Sequence, residues 1–94
     1  MDIDLKNRKV VITGASDGIG RSLALAFGEA GARVAGCARN NDRLCAVEKE
    51  ISGTGHFFSS ADFSKSRDIQ KFHDEAISAL KGVDILVNNV GSIQ

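Results

Sequence analysis

The run Thr13-Gly-Ala-Ser-Asp-Gly-Ile-Gly20 holds the residue types and spacing best suited to chemistry. It lies between a short β-branched run and an amphipathic segment, where a strand would hand over to a helix. The first backbone N–H groups of a helix have no intrahelical partners, and the helix dipole favours an anion there. Gly14 lets the chain leave the strand in a tight turn. Gly18 has no Cβ, so a pyrophosphate could approach the backbone, with the Ile19 N–H as a donor. Gly20 lets the helix pack closely on the strand. Ser16 could bond a ribose or simply cap the helix. The spacing Gly-x3-Gly-x-Gly differs from the commoner Gly-x-Gly-x-x-Gly. No Lys-Ser/Thr follows the last glycine, so the run is not a P-loop.

The elements that must position this loop follow from periodicity. Residues 9–13 (KVVIT) form a β-branched run bounded by Gly14 and read as a buried strand. Ile19, Leu23, Ala26, Phe27 and Ala30 recur at helical spacing, and Gly31 supplies the stop. Residues 33–38 (RVAGCA) read as a second strand. Asn40 or Asn41 can cap a second helix with Leu44, Val47 and Ile51 on one face, ended by Gly53. Residues 55–59 (GHFFS) read as a third strand. Ser64 or Ser66 can cap a third helix with Ile69, Phe72, Ala76, Ile77 and Leu80 along one stripe. Lys81 suits its last turn and Gly82 ends it. Residues 83–88 (VDILVN) read as a fourth strand.

Strands alternating with helices imply a parallel sheet with right-handed crossovers. The expected fold is α/β: a doubly wound, partial Rossmann arrangement of four strands in the order 3-2-1-4, with helices on its faces.

The TGASDGIG run resembles the TGxxxGIG signature of the short-chain dehydrogenases/reductases. Two further matches follow in order. Asp62, in SADFS, matches the family Asp whose carboxylate bonds the adenine amino group, and Phe63 would then lend its backbone to the ring. Asn88-Asn-Val-Gly91 resembles the family's NNAG, whose first Asn approaches the adenosine ribose and whose second helps hold the central strands together. Val90 stands where Ala is usual and adds two methyls beside the cleft. Asp62 alone could be a loop acid, and Asn88 and Asn89 alone could be turn formers; in register with the glycine run they point to a cofactor site. The resemblance spans almost the whole chain and implies cofactor contacts at Gly14, Ser16, Gly18, Ile19, Gly20, Asp62, Phe63, Asn88, Val90 and Gly91.

The end of the second strand bears on which dinucleotide is taken. NAD sites place an acid there to bond the ribose 2′-hydroxyl. Here Ala38 holds that place and Arg39 follows, able to pair with a 2′-phosphate. The expectation is therefore NADP(H) in preference, with NAD(H) possible. Asp17 opposes this, because a carboxylate near a dianionic phosphate is unhelpful.

The resemblance also implies catalysis by a Tyr with a Lys four residues later, a substrate-orienting Ser and a further Asn, all downstream of the NNAG-like run. The chain contains no Tyr, so these residues hold no acid/base of that type. They read as a truncated NAD(P)-binding Rossmann domain, residues 1–94, from an NADP(H)-dependent carbonyl reductase or alcohol dehydrogenase. The alternative is a non-catalytic dinucleotide-binding module, or a partner of a full-length subunit. A methyl-donor-binding protein is disfavoured by the glycine run together with Asn88 and Asn89.

Composition excludes other classes. Twelve Lys plus Arg balance twelve Asp plus Glu, so neither nucleic acid nor an acidic membrane is an expected partner. The N-terminus lacks an apolar stretch and the chain lacks a membrane-spanning run, which suggests a cytoplasmic protein. Cys37 and Cys45 match no metal-ligand spacing and read as two small buried hydrophobes; no metal site is expected. His56 and His73 are assigned no role. The parent resembles a homo-oligomer, and the isolated chain, with the edge of its fourth strand uncovered, is expected to self-associate.

Overall fold

The computed structural model describes residues 5–15, 18–62 and 64–88. The described chain runs β1 (Lys9–Thr13), α1 (Gly18–Glu29), β2 (Arg33–Ala38), α2 (Asn41–Glu50), β3 (Phe57–Ser60), α3 (Ser66–Leu80) and β4 (Ile85–Asn88). The four strands form one parallel sheet in the order β3-β2-β1-β4, as the alternating pattern implies.

Successive side chains of β1 point to opposite faces, and β1 and β2 are covered on both, whereas Leu86 of β4 is 58% exposed. Val10 and Ile12 join Ala24 of α1 and Leu44 and Val47 of α2 in one core. Val11 faces the other way, with Ala35, Cys37 and the α3 residues Phe72, Ala76 and Leu80. Burial on both faces explains why β1 and β2 read as near-continuous apolar runs rather than as alternating ones. Phe72 is only 2% exposed, and its truncation to Ala would cost about 3–5 kcal/mol, a large share of what a domain this small possesses.

The buried line of α1 is not the expected one. Gly20, Ala24 and Gly28 are buried, whereas Ile19 is 70% exposed. Small residues at i, i+4 and i+8 let the helix axis approach the sheet and α2; a Cβ on Gly28 would run into the Ile51 side chain. Leu23 and Phe27 flank this seam as partly buried neighbours of the core.

Side chains displace three expected boundaries. The β2–β3 ladder begins at Ala35 and Phe57, not at residue 55. His56 is the reason: its Nδ1 accepts the Val34 N–H at 3.0 Å and its Nε2 donates to the Ser52 carbonyl at 2.8 Å. The ring thus replaces a strand partner and closes the turn after α2. Similarly, β4 starts at Ile85 rather than at residue 83, because Asp84 Oδ2 accepts the Lys9 N–H at 2.9 Å in place of a backbone carbonyl. At the head of α3 the N-cap is Lys65, with no side-chain cap bond, so neither Ser64 nor Ser66 caps it; the Ser64 hydroxyl is committed to Asp62.

The other helix ends are conventional. Asn40 caps α2, its Oδ1 accepting the Arg43 N–H at 3.0 Å. That helix closes at Ile51 in an extended conformation, before Gly53. Lys81 closes α3 in the left-handed region at φ 64°, and its carbonyl accepts from Lys9 Nζ. Cys37 is buried as expected; Cys45 is exposed, correcting its assignment to the interior, because it lies on the open side of α2 away from Leu44 and Val47.

Candidate functional site

All four strands are parallel, so their C-terminal ends share one edge of the sheet, which is where open α/β sheets hold ligands. Thr13, Ala38, Ser60 and Asn88 end the four strands there. The glycine loop leaves β1 at this edge. Gly14 turns at φ 70°, and the Ala15 N–H donates to the Cys37 carbonyl at 3.0 Å, tying the loop to β2. The Cys37 thiol lies beneath this tie. Burial pushes it up to about 12, with a hydrogen bond from the Gly14 backbone acting against the shift; it stays a neutral filler, not a nucleophile.

Gly18 opens α1 at φ 58°, and a Cβ built there would meet nothing within 4 Å among the described residues. The glycine is therefore required by its backbone conformation, and the space beside it is free. Ile19 is exposed next to it. No acid occupies the first turn of α1, so its partial positive end is uncompensated by the helix's own residues. These three features suit an anion.

At the ends of β2 and β3 lies an open cleft of about 330 Å³ lined by Arg39, Ser60, Ala61, Asp62 and Asp68. Arg39 is exposed and makes no ion pair with another described residue; the ion pair found among the described residues joins Arg21 to Glu50 on the far side of α1. Asp62 is fixed on several sides. Its Oδ1 accepts the Ser64 N–H at 2.9 Å and the Ser64 hydroxyl at 2.7 Å. Its own N–H donates to Asp68 Oδ2 at 3.0 Å, and its carbonyl accepts the Lys65 N–H at 2.9 Å. The Ser64 N–H, and then its hydroxyl, hold the Asp62 carboxyl below the usual carboxylate value; the Arg39 and Lys65 charges add to the effect.

On the other side of the loop, Thr13 Oγ1 donates to Asn88 Oδ1 at 2.9 Å. Asn88, the last residue of β4, is exposed at this edge.

The structure thus places Gly14, Gly18, Ile19, Gly20, Arg39, Asp62 and Asn88 along one edge of the sheet, and joins Arg39 and Asp62 in one cleft. Ser16, Phe63, Val90 and Gly91, like Asp17 and Asn89, lie outside the described residues. Asp68 was not singled out from the sequence, Ser64 was named only as a helix cap, and Thr13 only as the start of the glycine run. The signal for Ser64 was present: a Ser two residues after an Asp is a recurrent local hydrogen-bonding pattern. Among the described residues, no group of His, Cys, Asp or Glu could hold a metal ion, and no helix is long and apolar enough to cross a membrane.

Comparison with known proteins agrees with this geometry. The family model described as short chain dehydrogenase matches residues 8–94. A glucose 1-dehydrogenase from Gluconobacter oxydans is 44% identical over 87 residues, covering 89% of this chain and 33% of that protein. An NADPH-dependent pterin aldehyde reductase from Arabidopsis thaliana is 41% identical over 88 residues, covering 92% of this chain and 36% of that protein. The crystal structure of a hydroxysteroid dehydrogenase from Escherichia coli superposes with a TM-score of 0.88 at 37% identity, over 97% of this chain and 39% of that one. Other similar structures hold NADH in one case and NADPH in another, at TM-scores of 0.81 and 0.82 and identities of 32% and 30%. The chain spans about a third of the length of the curated relatives it matches.

Proposed function

The chain belongs to the short-chain dehydrogenase family, and from that membership we propose that residues 1–94 are the dinucleotide-binding part of an NADP(H)-dependent oxidoreductase acting on a carbonyl or hydroxyl group. A bound dinucleotide supplies the hydride or accepts it. The role of these residues is to hold and orient that cofactor.

The residues fit the group. Open space beside Gly18 among the described residues and a first turn of α1 without acids suit a pyrophosphate, with the Ile19 N–H as donor; Ser16 is the further contact that the family pattern implies. By the family pattern, Asp62 and Phe63 would take the adenine, and Asn88, Val90 and Gly91 would border the ribose. Hydride transfer also needs a group that gives or takes the substrate proton. With no Tyr among the 94 residues, the tyrosine of the family pattern is not supplied here, and the contribution of this chain is binding.

The observation that carries the choice of cofactor is Arg39: it follows the buried Ala38, lines the same cleft as Asp62, and has no ion-pair partner among the described residues. A guanidinium so placed pairs with a 2′-phosphate; a carboxylate in its place would pair with the 2′-hydroxyl of NAD. The test is titration of NADP and NAD against the wild-type chain and Arg39→Asp. One charge-assisted pair corresponds to roughly tenfold preference or more for NADP, which the substitution abolishes or reverses. A wild-type preference for NAD, or an unchanged preference in the variant, overturns the assignment.

A further inference from the structure

Of the polar groups on Asp62, one carboxylate oxygen is uncommitted among the described residues. Its N–H is taken by Asp68, its carbonyl by Lys65, and its Oδ1 twice by Ser64. Oδ2 therefore remains to meet a ligand in the cleft. The direction in which it points is set by the backbone at Asp62, and that backbone is held by a carboxylate six residues away, from the first turn of α3.

We propose that Asp68 is a positioning residue of the adenosine site: by accepting the Asp62 N–H it aims the free Asp62 oxygen, and so sets selectivity for a base that carries an exocyclic amino group. The proposal rests on the assignment of the cleft to the adenosine end of a dinucleotide.

Asp68 is placed to act on the ligand through Asp62. Asp68 lines the cleft, but the oxygen it uses is spent on the Asp62 backbone. Asp68 sits in the first turn of α3, and its carboxylate accepts the Asp62 N–H. The negative charge makes its bond to the Asp62 N–H a charge-assisted one. Without it, the bonds from Ser64 and from Lys65, the N-cap of α3, remain, but among the described residues no bond from within the turns of α3 holds Asp62. Oδ2 is then free to swing with the loop, and a ligand must supply the ordering that Asp68 supplies now.

The test compares NADP with its hypoxanthine analogue, which replaces the adenine amino group by a carbonyl. A carboxylate oxygen accepts from the amino group and faces the analogue's carbonyl unfavourably, so the wild-type chain is expected to bind NADP about tenfold more tightly or better. Asp68→Ala is expected to bring that ratio below about threefold, while Asp68→Asn, whose amide oxygen can still accept the Asp62 N–H, restores most of it. A ratio within each variant cancels a general loss of stability, which would weaken both compounds alike. Should Asp68→Ala fail to fold, Asp68→Ser, whose oxygen falls short of the Asp62 N–H, gives the same readout. A wild-type preference for NADP that survives Asp68→Ala or Asp68→Ser overturns the proposal and leaves the adenosine assignment standing. Equal binding of the two compounds by the wild type, or saturable binding of neither, overturns the adenosine assignment and the proposal with it.

Discussion

Thr13 and Asn88, the last residues of neighbouring parallel strands and partners in register, are joined side chain to side chain by a 2.9 Å hydrogen bond. The bond crosses from the strand that feeds the glycine loop to the last residue of β4. Thr13 is 5% exposed, so its hydroxyl is shielded from competing water.

Thr13→Val keeps the shape of this residue and removes the hydroxyl. The Asn88 oxygen then loses its donor and the amide is free to rotate. A loss of about 1 kcal/mol in unfolding free energy is expected, measurable by urea denaturation, together with weaker dinucleotide binding. Binding that matches the wild type would show that Asn88 needs no such orientation.

Gly18→Val tests the loop by two routes at once. The backbone at φ 58° is costly for a side chain with a Cβ, by roughly 1–2 kcal/mol, and the added methyls enter the space assigned to the pyrophosphate. Gly18→Ala carries most of the strain with less bulk. A binding loss much larger for Val than for Ala, in variants that still melt cooperatively, marks the phosphate position. Equal losses would assign the effect to strain alone.

The two thiols are expected to differ in reactivity. Burial holds Cys37 at about 12 and away from solvent, whereas Cys45 is exposed. Iodoacetamide at pH 8 should modify one site in the native chain, mapped by mass spectrometry to Cys45, and both sites in denaturant. Rapid native labelling of Cys37 would mean that β2 and the glycine loop part readily.

Ser64→Ala removes the hydroxyl donor to Asp62 and keeps the N–H. The Asp62 carboxyl lies below its ordinary 3.8 in the folded chain because its charged form accepts both Ser64 bonds. The stabilisation they give is therefore fully present above the ordinary value and is lost as pH falls through the lowered one. In the variant the Asp62 titration should move up toward 3.8 without reaching it, since the N–H bond is kept. The carboxyl carbon shift of Asp62, followed by NMR from pH 6 down to pH 2, reads this directly; an unmoved titration would mean the hydroxyl does not face the carboxylate.

Much of the fold was legible because the two central strands, β1 and β2, are buried on both faces. KVVIT and RVAGCA have no polar interruption, and β1 and β2 fall on them residue for residue. Boundaries failed where a side chain did the work of a backbone group, as at His56 and Asp84, because periodicity carries no trace of such a substitution. The face of α1 was misjudged for a different reason. Hydrophobic size marks the core only when elements pack at ordinary distance, and here Gly20, Ala24 and Gly28 mark a closer approach. In the site, order and spacing named Gly14, Gly18, Ile19, Gly20, Arg39, Asp62 and Asn88, which the structure brings to one edge of the sheet. The residues that hold those in place, Thr13 and Asp68, were not legible in that role, because their partners lie in other elements and the contacts exist only once the sheet has formed.

The strand order also implies a sequence of events. β2 lies one helix beyond β1 along the chain, whereas β4 lies three helices beyond it, and Thr13 meets Asn88 across 75 residues. Tripling a loop adds about 1 kcal/mol to the entropy of closing it, so β1 is expected to dock on β2 before β4 arrives. During synthesis the same order holds by necessity, since β4 emerges last. The Arg39 side of the site is thus built early and the Asn88 side late, and until β4 docks the newborn β1 carries a bare hydrogen-bonding edge where a chaperone or a second nascent chain could bind.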